Sequence, residues 1–79
     1  MILIKVDREN KQPLFQQVFE QLKQLIESGD LLPGENLPST RKLAETLSVH
    51  RTTVYRAYEE LWAAGYLEAT AGAYSRVRQ

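Results

Sequence analysis

The residues of this chain whose types and spacing could do chemistry are Arg51, Thr52 and Thr53, a consecutive basic and hydroxylated run. A guanidinium and two hydroxyls can bind phosphate oxygens, and the planar fork of arginine also matches O6 and N7 of guanine. The run therefore suits nucleic-acid recognition, provided that it lies at a surface. Catalysis has little support, because the sequence shows no nucleophile with an adjacent base, no paired carboxylates and no phosphate-binding loop.

The apolar residues around this run predict the two helices that would position it. Their spacing lets both helices close on one core, formed by Leu43, Ala44, Leu47, Val49, Val54 and Ala57. We expect one helix over about residues 40–47, with Ser39 as its N-cap. After a turn at residues 48–50, the second helix begins near residue 50 and ends before Gly65. Two helices joined in this way form a helix-turn-helix, in which the second helix offers its first turns to a DNA major groove.

The rest of the chain predicts a further helix, an arm and a hairpin. Apolar residues recur with helical spacing between Pro13 and Gly29, and strand-like segments flank Gly72, the expected tip of a hairpin. Residues 2–7 show a period of two, which suits a short edge strand or an extended arm. We therefore predict a mainly α fold with a small β-hairpin, a winged helix-turn-helix of three helices plus a wing.

The composition is that of one small domain. Its 79 residues support a single winged helix over residues 13–79, preceded by an arm or short strand over residues 1–12. Cysteine is absent and histidine occurs once, so we expect neither a disulfide framework nor a metal site. The apolar runs are too short to span a bilayer, and the N-terminus lacks the features of a signal peptide. We expect a cytoplasmic protein.

Charge is balanced overall but mildly polarised along the sequence. Ten basic residues balance ten acidic ones, whereas a DNA-binding protein often carries a basic excess. Residues 1–38 contain four basic and six acidic residues, and residues 39–79 contain six basic and four acidic ones. The basic half therefore coincides with the helix-turn-helix. This distribution predicts weak binding by a single copy, with useful affinity coming from a homodimer.

From Pro13 onward the chain resembles the N-terminal domain of the GntR family of bacterial transcription regulators. The matching positions are residues 37–44, residues 49–54, Ala57, Tyr58, Leu61 and residues 65–67. Residues 4–8, 11–14 and 49–51 look most like the MocR subfamily, and the YtrA subfamily shares most of these features. The resemblance implies a DNA-binding module. A MocR-type parent would bind pyridoxal phosphate in a separate C-terminal domain, so we expect no cofactor and no small-molecule site within this chain.

The resemblance also implies which side chains contact DNA. Arg51 would be the principal base reader, with Thr52 and Thr53 bonding phosphates or bases beside it. His50 would contact a phosphate or a base through one ring nitrogen. Arg41 would reach a phosphate or a base edge from the preceding helix.

Three further positions belong to the implied DNA-binding set. Ser39, the expected N-cap, lies at the start of the first helix of the motif. Tyr55 would face the groove from one turn into the second helix. Gly72 would let the wing, over residues 66–78, approach the minor groove.

Two basic residues have competing interpretations. Arg56 is included in the DNA-binding set, but it could equally pair with Glu59 or Glu60 one turn further along the helix. Arg76 lies in a wing that lacks the second glycine of the family pattern. It could supply a replacement charge for contact with the minor groove.

A winged helix can also serve as a protein-interaction module, with the helix over about residues 50–64 packed on a partner. The balanced charge and the irregular wing favour this alternative. It would need an apolar outward face on that helix, whereas the outward residues are Arg51, Thr52, Tyr55 and Arg56. The sequence therefore predicts double-stranded DNA as the partner, and a homodimer as the binding species.

Overall fold

The computed structural model describes residues 4–69 and 75–78. Its elements are α1 (Leu14–Ser28), α2 (Thr40–Leu47), α3 (Arg51–Ala63), β1 (Leu67–Ala69) and β2 (Ser75–Val77). The two strands pair antiparallel, with Leu67 opposite Val77. The predicted winged helix-turn-helix is confirmed, and the expected hairpin tip at Gly72 lies outside the described residues. Within them, no helix is both long and apolar enough to cross a membrane.

The limits of α1 follow from the residues that flank it. Pro13 precedes the helix in an extended conformation (ψ 148°), and its missing N–H costs nothing there because the first amides of a helix have no internal partner. Gly29 ends the helix with a φ of 89°, a left-handed conformation that glycine adopts without steric cost. Between these ends, Val18 and Leu22 are fully buried.

The chain reverses between α2 and α3 within three residues. Ser48 adopts the left-handed conformation expected of the turn, with φ 56° and ψ 44°. Its N–H bonds the carbonyl of Glu45 at 3.2 Å, and the N–H of Val49 bonds the carbonyl of Ala44 at 3.0 Å. These two bonds satisfy two of the last four carbonyls of α2 and bring the chain directly to His50, the residue before α3.

One apolar core lies between the helices and the hairpin. Its buried members come from every part of the described chain: Ile4, Val18, Leu22, Leu31, Leu37, Leu43, Ala44, Val54, Ala57, Tyr58, Leu61, Leu67 and Val77. α3 is the central element, because it packs against α1, α2 and β1. Burying each large apolar side chain contributes about 1.5 to 3 kcal/mol. This burial holds one face of α3 inward and leaves the opposite face in solvent.

The loop before α2 pairs with the hairpin. The N–H of Gly34 bonds the carbonyl of Val77, and the N–H of Val77 bonds the carbonyl of Glu35, both at 2.9 Å. Asn36 forms an antiparallel bridge with Arg76. Pro33 and Gly34 predict a tight turn here. In the structure, residues 34–36 also pair with β2 as a third, very short extended segment.

Residues 4–7 form an extended arm along α1, and residues 2–3 of the predicted arm or strand lie outside the described residues. The N–H of Lys5 bonds Gln21 Oε1 at 3.0 Å. One helical turn earlier, Gln17 bonds both the N–H and the carbonyl of Asp7, at 2.8 and 3.0 Å. The arm therefore runs antiparallel to α1, and glutamine amides take the place of a neighbouring strand.

Tyr58 ties α3 to the segment that precedes α2. Its side chain is buried, and its hydroxyl donates to the carbonyl of Pro38 at 2.8 Å. Burial raises the pKa of the Tyr58 hydroxyl well above its ordinary value, because the ionised form would lose its hydration. The hydroxyl therefore stays protonated and keeps donating to Pro38.

We expect Tyr58→Phe to lower the free energy of unfolding by about 0.5 to 1.5 kcal/mol at neutral pH, because the bond to Pro38 is lost. The pKa of Tyr58 is raised in the folded state. The extra free energy of unfolding of the wild type over Tyr58→Phe is therefore complete below the unfolded-state pKa of about 10 and declines at higher pH. Urea unfolding of both proteins at neutral pH and at about pH 11 measures the difference. A difference that stays the same at both pH values would contradict this role of Tyr58.

Candidate nucleic-acid interface

The first turns of α3 present polar side chains to solvent. Arg51 and Thr52 are exposed, and Thr53 is half-buried at the edge of the helix. Tyr55, one turn further on, is 50% exposed. Val54 lies on the opposite side of the helix and is fully buried. The structure thus brings four of the residues predicted to contact DNA to one open surface.

Ser39 and His50 are the N-caps of α2 and α3. Ser39 Oγ accepts the N–H of Lys42 at 3.1 Å, which confirms the predicted cap, and the hydroxyl proton can still be donated elsewhere. His50 is exposed, and its carbonyl accepts the N–H of Thr53 at 3.0 Å. Within the described chain, the His50 imidazole caps no amide of α3. Both caps therefore keep polar groups available at the same end of the motif.

The start of α2 lies beside the start of α3. Arg51 Nε is 3.4 Å from Thr40 Oγ1, which links the two helices across their outer surface. Arg41 forms an ion pair with Glu45 at 3.9 Å, and these two side chains are 75% and 64% exposed. An ion pair so open to water is weak. Arg41 can therefore exchange the Glu45 carboxylate for a phosphate at little cost.

Arg56 lies over the ring of Phe15 in α1, with its guanidinium carbon 3.8 Å from the ring centroid. The alternative pairing is not formed, since no ion pair joins Arg56 to Glu59 or Glu60 in the part of the chain that the structure describes. Stacking uses the flat face of the guanidinium and leaves its N–H donors at the edge free to bind another group. The contact thus restrains Arg56 without consuming its donors.

Charge changes sign along the outward face of α3. Arg51 and Arg56 lie in its first two turns, whereas Glu59 and Glu60 are exposed in the next turn. A phosphate backbone would be attracted to the first part and repelled by the second. The surface suited to a polyanion is therefore confined to the beginning of the helix. Among residues 4–69 and 75–78, no group of histidine and carboxylate side chains is placed to hold a metal ion.

Arg76 of the wing pairs with a carboxylate on the neighbouring strand. Arg76 Nε donates to Glu68 Oε2 at 2.8 Å, directly across the hairpin. The interpretation of Arg76 as a replacement charge for the minor groove is therefore not supported, because a carboxylate already neutralises it. Gly72, which was predicted to approach the minor groove, lies outside the described residues.

Two residues at this surface were missed in the sequence analysis. Phe15 is one of the apolar residues with helical spacing between Pro13 and Gly29, and that spacing cannot identify its partner Arg56. Arg8 was placed in the arm without a role, yet its Nη2 donates to the carbonyl of Ser48 in the turn before α3. Neither contact has a local signal, because each joins segments distant in the sequence.

Known proteins of similar sequence are bacterial regulatory proteins. The family model described as bacterial regulatory proteins, gntR family, matches residues 14–77. The HTH-type transcriptional repressor YtrA of Bacillus subtilis strain 168 is 36% identical over 70 residues. The probable rhizopine catabolism regulatory protein MocR of Rhizobium meliloti is 40% identical over 70 residues. Each match covers 89% of this chain, but the chain spans only 54% of that YtrA and 14% of MocR.

Solved structures show the same architecture. YtrA from Sulfolobus acidocaldarius, a GntR-family transcription factor, is 38% identical with a TM-score of 0.91, over 96% of this chain and 80% of that one. The DNA-binding domain of AraR in complex with operator ORE1 is 26% identical with a TM-score of 0.78, over 98% of this chain and 94% of that one. The second of these structures contains operator DNA.

We expect Phe15 and Arg56 to be energetically coupled. A double-mutant cycle of Phe15→Leu and Arg56→Met should give a coupling of about 0.5 to 1 kcal/mol in urea unfolding, because each single change already removes the stacking. The matched control is the cycle of Phe15→Leu with Arg51→Met, which should give a coupling near zero, since Arg51 contacts Thr40 instead. Equal couplings in the two cycles would argue against the stacking.

Proposed function

Since the chain belongs to the gntR family of bacterial regulatory proteins, we propose that it is the DNA-binding domain of a transcription regulator and recognises double-stranded DNA by sequence. In this proposal α3 enters the major groove by its first two turns, and the wing lies near the minor groove. The chain is a regulatory module and not an enzyme. We place its activity in the bacterial cytoplasm, where the DNA is.

The observation that carries this proposal is the open, cationic start of α3. Arg51 and Thr52 face solvent, while the buried face of the same helix, which includes Val54 and Leu61, is fixed to the core. A helix held in this way can enter a groove without rearranging the fold. The AraR domain, whose fold is similar, is bound to its operator, which supports the same use of this surface.

Arg51 is assigned to base recognition. Its guanidinium can bond O6 and N7 of a guanine in the major groove, and its contact with Thr40 limits the orientations that it samples. Thr52 and Thr53 are assigned to phosphates or bases next to it. Hydroxyls at a helix start suit phosphate contacts, because the nearby amides also favour negative charge.

The surrounding side chains are assigned to the edges of the groove. Arg41 on α2 and Arg56 on α3 flank Arg51 along the chain, and each would contact a phosphate or a base edge. His50 and Ser39, at the two N-caps, would donate to phosphates. Tyr55 would lie against the groove with its exposed ring and hydroxyl.

The wing is assigned to the minor groove through Gly72, where the lack of a side chain would permit a close approach. Arg76 does not supply charge in this proposal, because it pairs with Glu68. In the wing, electrostatic attraction would therefore come from Arg78, which is exposed, and not from Arg76.

A homodimer is proposed as the binding species. The chain has a formal net charge of zero, so a single copy would release few counterions and bind weakly. Two copies on paired half-sites would add their contacts, with half-sites separated by about one helical turn or a multiple of it.

The YtrA and MocR subfamilies each have a relative of similar identity to this chain, YtrA at 36% and MocR at 40%. Our sequence interpretation favours the MocR subfamily on the residues around the arm and His50. A MocR-type parent would bind pyridoxal phosphate in another domain, and no residue of this chain is assigned to that cofactor.

One observation favours the alternative of a protein-interaction module. Tyr55 and Trp62 are 50% and 42% exposed and lie on one side of α3, two turns apart. A partner could pack on this aromatic strip. The strip begins beside Arg51, however, so DNA and a protein partner would compete for the same end of the helix.

The function is tested by selecting duplexes from a random library with the 79-residue chain. We expect an enriched sequence, and an affinity for it that falls as the salt concentration rises from about 50 to 200 mM. Arg51→Ala should cost about 1 to 3 kcal/mol of discrimination and relax one position of the enriched sequence. Fluorescence anisotropy on selected and shuffled duplexes measures the salt dependence of the affinity and the discrimination between the two sequences.

Two variants serve as controls for this experiment. Arg51→Lys keeps the charge but loses the fork, so it should lose discrimination and keep the salt dependence. Lys23→Ala removes a charge from α1 and should change neither quantity. No enriched sequence, or affinity that is independent of salt, would refute DNA recognition and leave the interaction module as the better candidate.

A further inference from the structure

The arm places a cation beside the first turn of α3. Arg8 is exposed, and its Nη2 donates to the carbonyl of Ser48 in the turn between α2 and α3. The same side chain borders a shallow hollow lined by Leu14, Val49 and His50. Although Arg8 is 43 residues before Arg51 in the sequence, it lies beside the turn that leads into α3.

The backbone on both sides of Arg8 is held in place by hydrogen bonds. Before it, Asp7 is bonded through its N–H and its carbonyl to Gln17, which is only 6% exposed. After it, the N–H of Glu9 bonds Asp7 Oδ1 at 3.0 Å, and the N–H of Asn10 bonds the Asp7 carbonyl at 3.2 Å. The tight turn that results fixes the direction in which Arg8 leaves the arm.

The position of the guanidinium also has an electrostatic reason. The carbonyl of Ser48 lies at the C-terminal end of α2, which carries the negative end of the helix dipole. A single bond to this carbonyl uses one of several N–H donors of the guanidinium. Because the side chain is exposed, its other donors can bind a group from solvent, and the ordering of the side chain has already taken place in the free protein.

We propose that Arg8 contacts a DNA backbone phosphate next to the start of α3, on the side of His50. This inference rests on the proposed function and adds to it a contact from the arm. Arg8 is bonded to the turn before α3 and not to the solvent-facing side chains of α3. We therefore assign it to the sugar-phosphate backbone and not to a base. The arm thereby becomes part of the binding surface, and Gln17 is a positioning residue for it.

Arg8 has a structural role as well, since it caps α2. The two roles differ in whether they need the positive charge of the guanidinium. A cap contributes to the free energy of unfolding, whereas a phosphate contact also sets how strongly affinity depends on salt, because each neutralised phosphate releases counterions.

The test compares Arg8→Gln and Arg8→Lys with the wild type. Glutamine removes the charge but keeps an N–H₂ donor for the Ser48 carbonyl, and lysine keeps the charge. The probe is a fluorescein-labelled mixed-sequence duplex, titrated by anisotropy between about 50 and 200 mM salt. We expect the slope of log affinity against log salt to fall in magnitude by about 0.9 in Arg8→Gln and to stay unchanged in Arg8→Lys.

Lys5→Gln is the matched control. It removes a charge from the same arm at the level of Gln21, one turn of α1 beyond Gln17, and should leave the slope unchanged. If Arg8→Gln does not fold, the Arg8 Nε–H signal of the wild type is followed by NMR as duplex is added, and we expect it to shift. An unshifted signal, or a slope for Arg8→Gln equal to that of the wild type, would overturn the role of Arg8.

Refutation of the Arg8 contact can be distinguished from refutation of the proposed function. If the wild type binds no duplex even at low salt, DNA recognition itself is refuted, and the role of Arg8 falls with it. If the wild type binds with a clear salt dependence and Arg8→Gln keeps the same slope, only the contact from the arm is refuted.

Discussion

The left-handed turn at Ser48 is the constraint on which the rest of the structure depends. Among the described residues, Ser48 is the one non-glycine residue with a positive φ, a conformation that costs a residue with a β-carbon roughly 1 to 2 kcal/mol. The turn is so tight that α2 and α3 share one core, in which Ala44 and Ala57 are almost completely buried. The orientation of Arg51 is therefore set by buried packing on the other side of its helix. A surface oriented in this way needs little ordering when it binds.

The elements with local signals could be predicted from the sequence. Apolar spacing, the Ser39 cap and the glycine after α3, Gly65 with φ 86°, each act over a few residues, so the three helices were predicted within about a residue of their observed ends. The exposure of Arg51 and Thr52 follows from the same helical period, because the buried residues fix the opposite face. The shape of the candidate site was thus predictable, while its contacts with DNA are still proposals.

The parts that the sequence did not predict are pairings between distant segments. Helical spacing gives the direction of Arg56 but not its neighbour, and Phe15 lies 41 residues before it. Gln17 is a polar residue on α1, and its burial is understandable only once the arm lies beside it. Arg76 faces Glu68 only in the register of the folded hairpin. In each case the missing information is a tertiary distance, which no local pattern contains.

The pairing of residues 34–36 with β2 has a consequence for self-association. Val77 uses its N–H and its carbonyl on Glu35 and Gly34, while β1 occupies the other side of the strand. An open strand edge is a template on which a second chain can add by backbone hydrogen bonds. Here the chain's own α1–α2 connection covers that side of β2. Two copies of this domain therefore cannot join by adding a strand to this side of β2.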